Sequence, residues 1–211
     1  MADLKEKAFK SELPAVCTVF EAWQTLQTDL EEAYVPDEWT YPNVTEEMIE
    51  VLKRLVPELK FGHGIIAYDG STQTVSLKHA NNTMLICHEV GHYLACPEER
   101  KKLDNYGLGP PDIRSPDTPC VVDNTVSGEQ EALASLIGIC LEAHLGQDVK
   151  FTLCHHSWDP TPPEKFTAML LLVEGLLQHR ILSSALCCST PSANCPNDHQ
   201  AANQSDDQQP N

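Results

Sequence analysis

The sequence predicts an α+β fold: one mostly helical domain with a small sheet beside a motif-bearing helix. Three observations carry that prediction. Apolar residues recur at helical spacing in the first sixty residues and again in the second half. Two short segments between them, 64–68 and 74–78, have strand character and flank an Asp69-Gly70 turn signal. A chain of 211 residues, 41% of them apolar, is enough for one core with at most a small appendage.

In chain order, a first helix is expected over 15–34, and residues 39–43 form a Pro-containing connection. A second helix starts at Asn43 or Thr45, because either side chain can accept the backbone N–H groups that a helix start leaves unpaired. Met48, Val51, Leu52, Leu55, Val56 and Leu59 then follow helical spacing. This part is acidic, carries no chemical motif and is assigned to packing. After the strand pair, Asn81-Asn82-Thr83 offers caps for a helix that begins near Met84 and stops before Pro97. Residues 101–124, with six Gly or Pro among them, read as a long loop. Ser127-Gly128-Glu129-Gln130 is a capping-box pattern that opens a helix to about Gly146. Thr161-Pro162-Pro163-Glu164 is another, with proline in the first turn of the last helix. From Cys187 the composition turns to Ser, Asn, Gln, Asp and Pro, which bury too little to order a chain. The expected organisation is therefore 1–60 as the N-terminal helical part of the domain, 61–186 as its core and 187–211 as a disordered tail.

The formal charge of −17, from 31 acidic and 14 basic residues, repels phosphate backbones and so argues against a nucleic-acid partner. The longest apolar segment, 166–186, is interrupted by Glu174, His179 and Arg180; it predicts a buried or amphipathic helix and no membrane span. The first residues lack a basic-then-apolar signal layout, which predicts a cytoplasmic protein. The nine cysteines form no CxxC pair, so most are expected as reduced core residues. Nothing in the sequence speaks to oligomeric state.

His88-Glu89-Val90-Gly91-His92 fits the HExxH pattern. On a helix, residues four apart share a face, so His88 and His92 can present two imidazoles to one cation. Glu89 beside them can act as general base on a metal-bound water. The rest of the segment is uncharged, and a buried apolar helix holds His-Glu-His only if something compensates those polar groups. A metal is the simplest candidate.

Two histidines need a third protein ligand. The HExxHxxGxxH extension fails, because Ala95 and Glu98 stand at its glycine and histidine places. The following helix is the better source: Glu131, Ala134, Ser135, Gly138 and Glu142 share a face. Its small residues allow a close approach to Gly91. Glu131 is the favoured ligand, with Glu129 its competitor, since an acidic residue in a first helical turn also serves the helix dipole.

HEVGH followed by Glu129-Gln130-Glu131-Ala132-Leu133 resembles the gluzincin-type arrangement and the layout of the small ImmA/IrrE-type metallopeptidases. Together with the segment from Glu99 to Gly107 and the Ala132-Leu133 helix entrance, it also resembles the elongation factor P hydroxylase family. The resemblance covers roughly residues 60–146 and implies a zincin-like metal-binding core. The first family implies Zn2+ and hydrolysis of a protein or peptide substrate. The second implies Fe2+ and hydroxylation of a protein side chain, for which two histidines and a carboxylate are also a suitable ligand set. A third possibility is a degenerate metallopeptidase fold that serves as an interaction module. Among other residues, Tyr106 can donate to a developing oxyanion if its loop covers the cleft, though packing is the simpler role. Cys154-His155-His156 is a soft-ligand cluster assigned to loop or core, and His63 and His79 flank the strand pair. An edge strand there can hold an extended peptide.

Overall fold

Helix α1, Pro14–Thr28, buries one face: Val16, Val19, Phe20, Trp23 and Leu26 recur every three or four residues and are all buried. The computed structural model describes residues 11–28, 40–109 and 120–189, with side chains to Ile181. The expected end of this helix at residue 34, Trp39 and most of the expected tail lie outside the described residues. Of the two candidate caps for helix α2, Glu46–Leu55, Thr45 serves, its hydroxyl accepting from Met48 N at 3.3 Å. Asn43 instead forms a bridge with Asn82, and Val44 N donates to Asn81 O. The connection is thereby stapled to the start of the motif helix.

Three short strands make one sheet in the order β1-β3-β2: β1 is Lys60–Gly62, β2 Tyr68–Asp69 and β3 Thr74–Ser76. β1 runs parallel to β3 and β2 antiparallel to it. The strand expected over 64–68 is thus reduced to its last residue, and β1 was not foreseen. Ser76 is the reason. Its Oγ accepts from Gly64 N and donates to Gly64 O, both at 3.1 Å. Side-chain bonds replace the ladder there and push Ile65 outward, to 92% exposure. Ser76 O in turn accepts from His79 N and Ala80 N, which ends β3 in a turn before residue 78.

Helix α3, Thr83–Ala95, carries the motif. Asn82 caps it by accepting from Leu85 N at 2.9 Å, and it ends at Cys96, just before Pro97. The expected loop from 101 begins instead as two tight turns, Arg100–Lys102 and Asp104–Gly107, and residues 110–119 lie outside the described residues. Helix α4, Asn124–His144, starts three residues before the expected capping box. Asp123 Oδ1 accepts from Thr125 N and Val126 N, so Ser127 lies inside the helix and does not open it. A short helix α5, Lys150–His155, and the long α6, Pro163–Ser189, complete the chain. No described helix is long and apolar enough to cross a membrane.

The fold is a single α+β domain, mostly helical, as expected. Its centre is α4, which is buried without a break from Ala134 to Glu142. Residues from α1 and α2 enter the same core as α3, α4 and α6. Trp23 illustrates the closure: its ring stacks on Phe166 at 4.5 Å and its indole N–H donates to Trp158 O at 3.0 Å. Among the described cysteines, Cys87, Cys96 and Cys140 are buried core residues outside any disulfide.

The crossing of α3 on α4 depends on two glycines. A Cβ on Gly91 would stand 2.2 Å from Ala134 O, and one on Gly138 3.0 Å from the His88 backbone. Neither obstacle is a flexible side chain. Gly91→Ala is therefore expected to destabilise the protein by roughly 1–3 kcal/mol or more, seen as a lowered urea midpoint. An unchanged midpoint would show that the two helices are free to separate.

Candidate metal centre

Close contact of α3 and α4 sets His88 and His92, one turn apart on α3, opposite Glu131 in the second turn of α4. The two Nε2 atoms are 3.0 Å apart, and Glu131 Oε2 lies 3.3 Å from each. These three residues form a group that can hold a metal ion. Ligands at zinc distances in a tetrahedron stand roughly 3.3 Å from one another, so the triangle fits a single cation with little movement. His92 is only 6% exposed, whereas the Glu131 side chain is half exposed. The trio therefore closes at His92 and opens at Glu131. Of the two glutamates weighed from sequence, Glu131 belongs to the trio and Glu129 lines the adjoining cleft.

Electrostatics follow from this packing. Burial draws the Glu131 carboxyl upward, but hydrogen bonds and charge from His88 and His92 prevail and hold it far below the usual carboxylate range. Burial depresses the His92 imidazole, yet Glu131 and Glu89 outweigh it and raise its proton affinity. The Glu89 carboxyl is pushed up by burial, and His92 and His88 partly offset the shift. His79, whose ring meets Ile65 O at 2.8 Å, adds a smaller contribution in the same direction.

A cleft of about 990 Å3 opens from His88 and Glu131. Ala132, Leu133, Met169 and Leu172 supply apolar wall, and Asn124, Thr125 and Lys165 supply polar groups. None of its lining residues comes from the sheet, so this cleft does not use the edge-strand pairing that the sequence suggested.

His156 also lines the cleft, its ring stacked on that of His88 with centroids 5.5 Å apart and planes 14° from parallel. Burial, then the charges of His88 and His155, push its imidazole down to about 4. The sequence alone assigns it to a loop or the core. The Cys154-His155-His156 cluster was the visible signal, but only the turn after α5, with Ser157 at φ 57°, brings one of its rings to the centre.

Tyr106 is packed behind the trio and does not line the cleft. It is 2% exposed, its ring lies against His92, and its hydroxyl donates to the Glu89 carbonyl at 2.8 Å. That proton is already committed, which removes the oxyanion role.

Farther along α4, Glu142 is buried, 2% exposed, and accepts from Thr152 Oγ1 at 2.9 Å. Burial pushes its carboxyl up to about 7, against the smaller effect of that hydrogen bond. The native state thus holds the proton more tightly than the unfolded chain, where the carboxyl titrates near 4.5. Stability is fully present below pH 4.5 and is lost as pH rises to 7, by up to about 3 kcal/mol. Glu142→Gln is expected to flatten this slope and to be more stable than wild type at pH 8. Urea unfolding at both pH values measures it, and an unaltered slope would assign the loss to other groups.

Comparison of the chain with protein-family models, curated proteins and solved structures found no match.

Proposed function

We propose that the protein is a zinc-dependent, metallopeptidase-like hydrolase of zincin-like fold, in which Glu89 handles the proton of the attacking water. The observation that carries this reading is the convergence of His88, His92 and Glu131 on one point, with His88 and Glu131 lining a cleft and Glu89 next to His88 on the same helix. A Zn2+ held by the trio would polarise a substrate carbonyl and make water easier to deprotonate.

The chain's own residues do the rest. His88 and His92 offer neutral nitrogens, and Glu131 offers the anionic oxygen that lowers the net charge of the ensemble. Glu89, outside the trio, is free to take a proton from water and return it to the leaving amine. The cleft is at the upper end of the volumes typical of small-ligand sites, about 300–1,000 Å3, which suits a short length of polypeptide. Its apolar wall can take a side chain, while Asn124 and Thr125 can bond the main chain. The substrate is then a protein or peptide, and buried cysteines outside any disulfide, with a strongly acidic composition, suit a cytoplasmic protein.

The test is cleavage of a mixed peptide library followed by mass spectrometry. Cleavage should disappear on chelation and return with added Zn2+. Products that gain an oxygen atom without backbone cleavage, in a protein that carries Fe2+, would replace this reading with that of a non-haem iron hydroxylase, since the donor set serves both.

A further inference from the structure

The 100–107 segment reaches the metal centre from behind at three points. The Tyr106 ring lies against the His92 ring, centroids 5.4 Å apart and planes 24° from parallel. Its hydroxyl donates to the carbonyl of Glu89. Arg100, which is buried, donates to the Tyr106 carbonyl at 3.3 Å and to Oε1 of Gln130, the neighbour of Glu131. One short segment thus contacts both the helix that carries the histidines and the helix that carries the glutamate.

Its backbone is held in an unfavourable conformation. Asn105 and Tyr106 have φ of 45° and 58°, the left-handed region that residues other than glycine seldom occupy. Surrounding contacts enforce it. Asn105 Oδ1 accepts from Tyr68 N at 3.2 Å, and Tyr68 stacks on the far face of the Tyr106 stack at 4.0 Å and 12°. On the other side, Gly70 sits so close to the Lys102-Leu103 backbone that a Cβ would stand 2.4 Å from Leu103 C. Such strain turns the Tyr106 side chain inward, toward α3, where it limits rotation of the one trio member with almost no exposure.

We propose that Tyr106 is a positioning residue for the metal centre: it sets the plane of His92 and the height of Glu89, and Arg100 couples that setting to the Glu131 helix. The proposal rests on the metal-site reading above. Groups that orient metal ligands commonly alter metal affinity by about 10- to 100-fold when removed, whereas a residue that only fills the core alters stability alone.

The experiment is titration with Co2+, whose visible absorption reports ligand geometry, on wild type, Tyr106→Phe, Tyr106→Leu and Tyr68→Phe. Tyr68 is the control. It is fully buried in the same stack and its hydroxyl donates to Lys101 O at 2.6 Å, but it lies one ring farther from His92. Tyr106→Phe should weaken Co2+ binding about tenfold and Tyr106→Leu about a hundredfold, each with a shifted spectrum. Tyr68→Phe should lower the melting temperature but keep wild-type affinity and spectrum. If Tyr106→Leu does not fold, Tyr106→Phe against Tyr68→Phe decides the matter. Equal effects of those two variants on affinity and spectrum would overturn the proposal even though the metal site stands. Failure of the wild-type protein to take up Co2+ would overturn the metal reading, and this inference with it.

Discussion

Glu89→Gln is expected to lower peptide turnover by about 10²- to 10⁴-fold while metal content stays at the wild-type level. Glutamine keeps the size of the side chain but cannot take a proton from water. The metal should remain because Glu89 is not among the three donors that lie within 3.3 Å of one another. Folding should not suffer either: the carboxyl is raised by burial, so a neutral replacement removes a cost. Loss of kcat with unchanged metal and unchanged melting temperature isolates proton transfer. If instead a biological activity of the protein survives Glu89→Gln undiminished, the fold is acting as an interaction module.

The parts of this site that were readable from sequence are those fixed by local geometry. Four-residue spacing places His88 and His92 on one helical face wherever that helix lies. Glu131 was readable for a related reason: Ala134, Ser135 and Gly138 on its face signalled a close helix crossing, and Gly91 and Gly138 indeed meet opposing backbone. Thr45 and Asn82 as caps follow the same local logic.

Elements that depend on distant partners were not readable. β1 exists because it pairs in parallel with a strand more than ten residues away, and no periodicity in a three-residue strand announces that. Ser76 replaced the expected strand at 64–68 through side-chain bonds that only the folded chain brings together. Asp123, and not Ser127, caps α4, because a helix that extends back to Asn124 presents its unpaired N–H groups at Thr125 and Val126 to the Asp123 carboxylate. Tyr106 and His156 reach the histidine pair beside left-handed backbone at 105, 106 and 157, which residue type alone does not signal there. The grouping of His88, His92 and Glu131 was therefore legible and its supports were not.

Replacement of Glu131 has the other large expected effect, because it removes the only anionic donor of the trio and the one that holds both imidazoles in place. Without it, His88 and His92 supply two ligands, short of the three protein ligands that a catalytic zinc site uses. Glu129, although it lines the same cleft, is outside the trio and should be dispensable for binding. The deciding measurement is elemental analysis of wild type, Glu131→Gln and Glu129→Gln, each purified without added metal. The site predicts stoichiometric zinc in wild type and Glu129→Gln and its loss in Glu131→Gln. Equal metal in all three, or a wild-type protein without any transition metal, would contradict it.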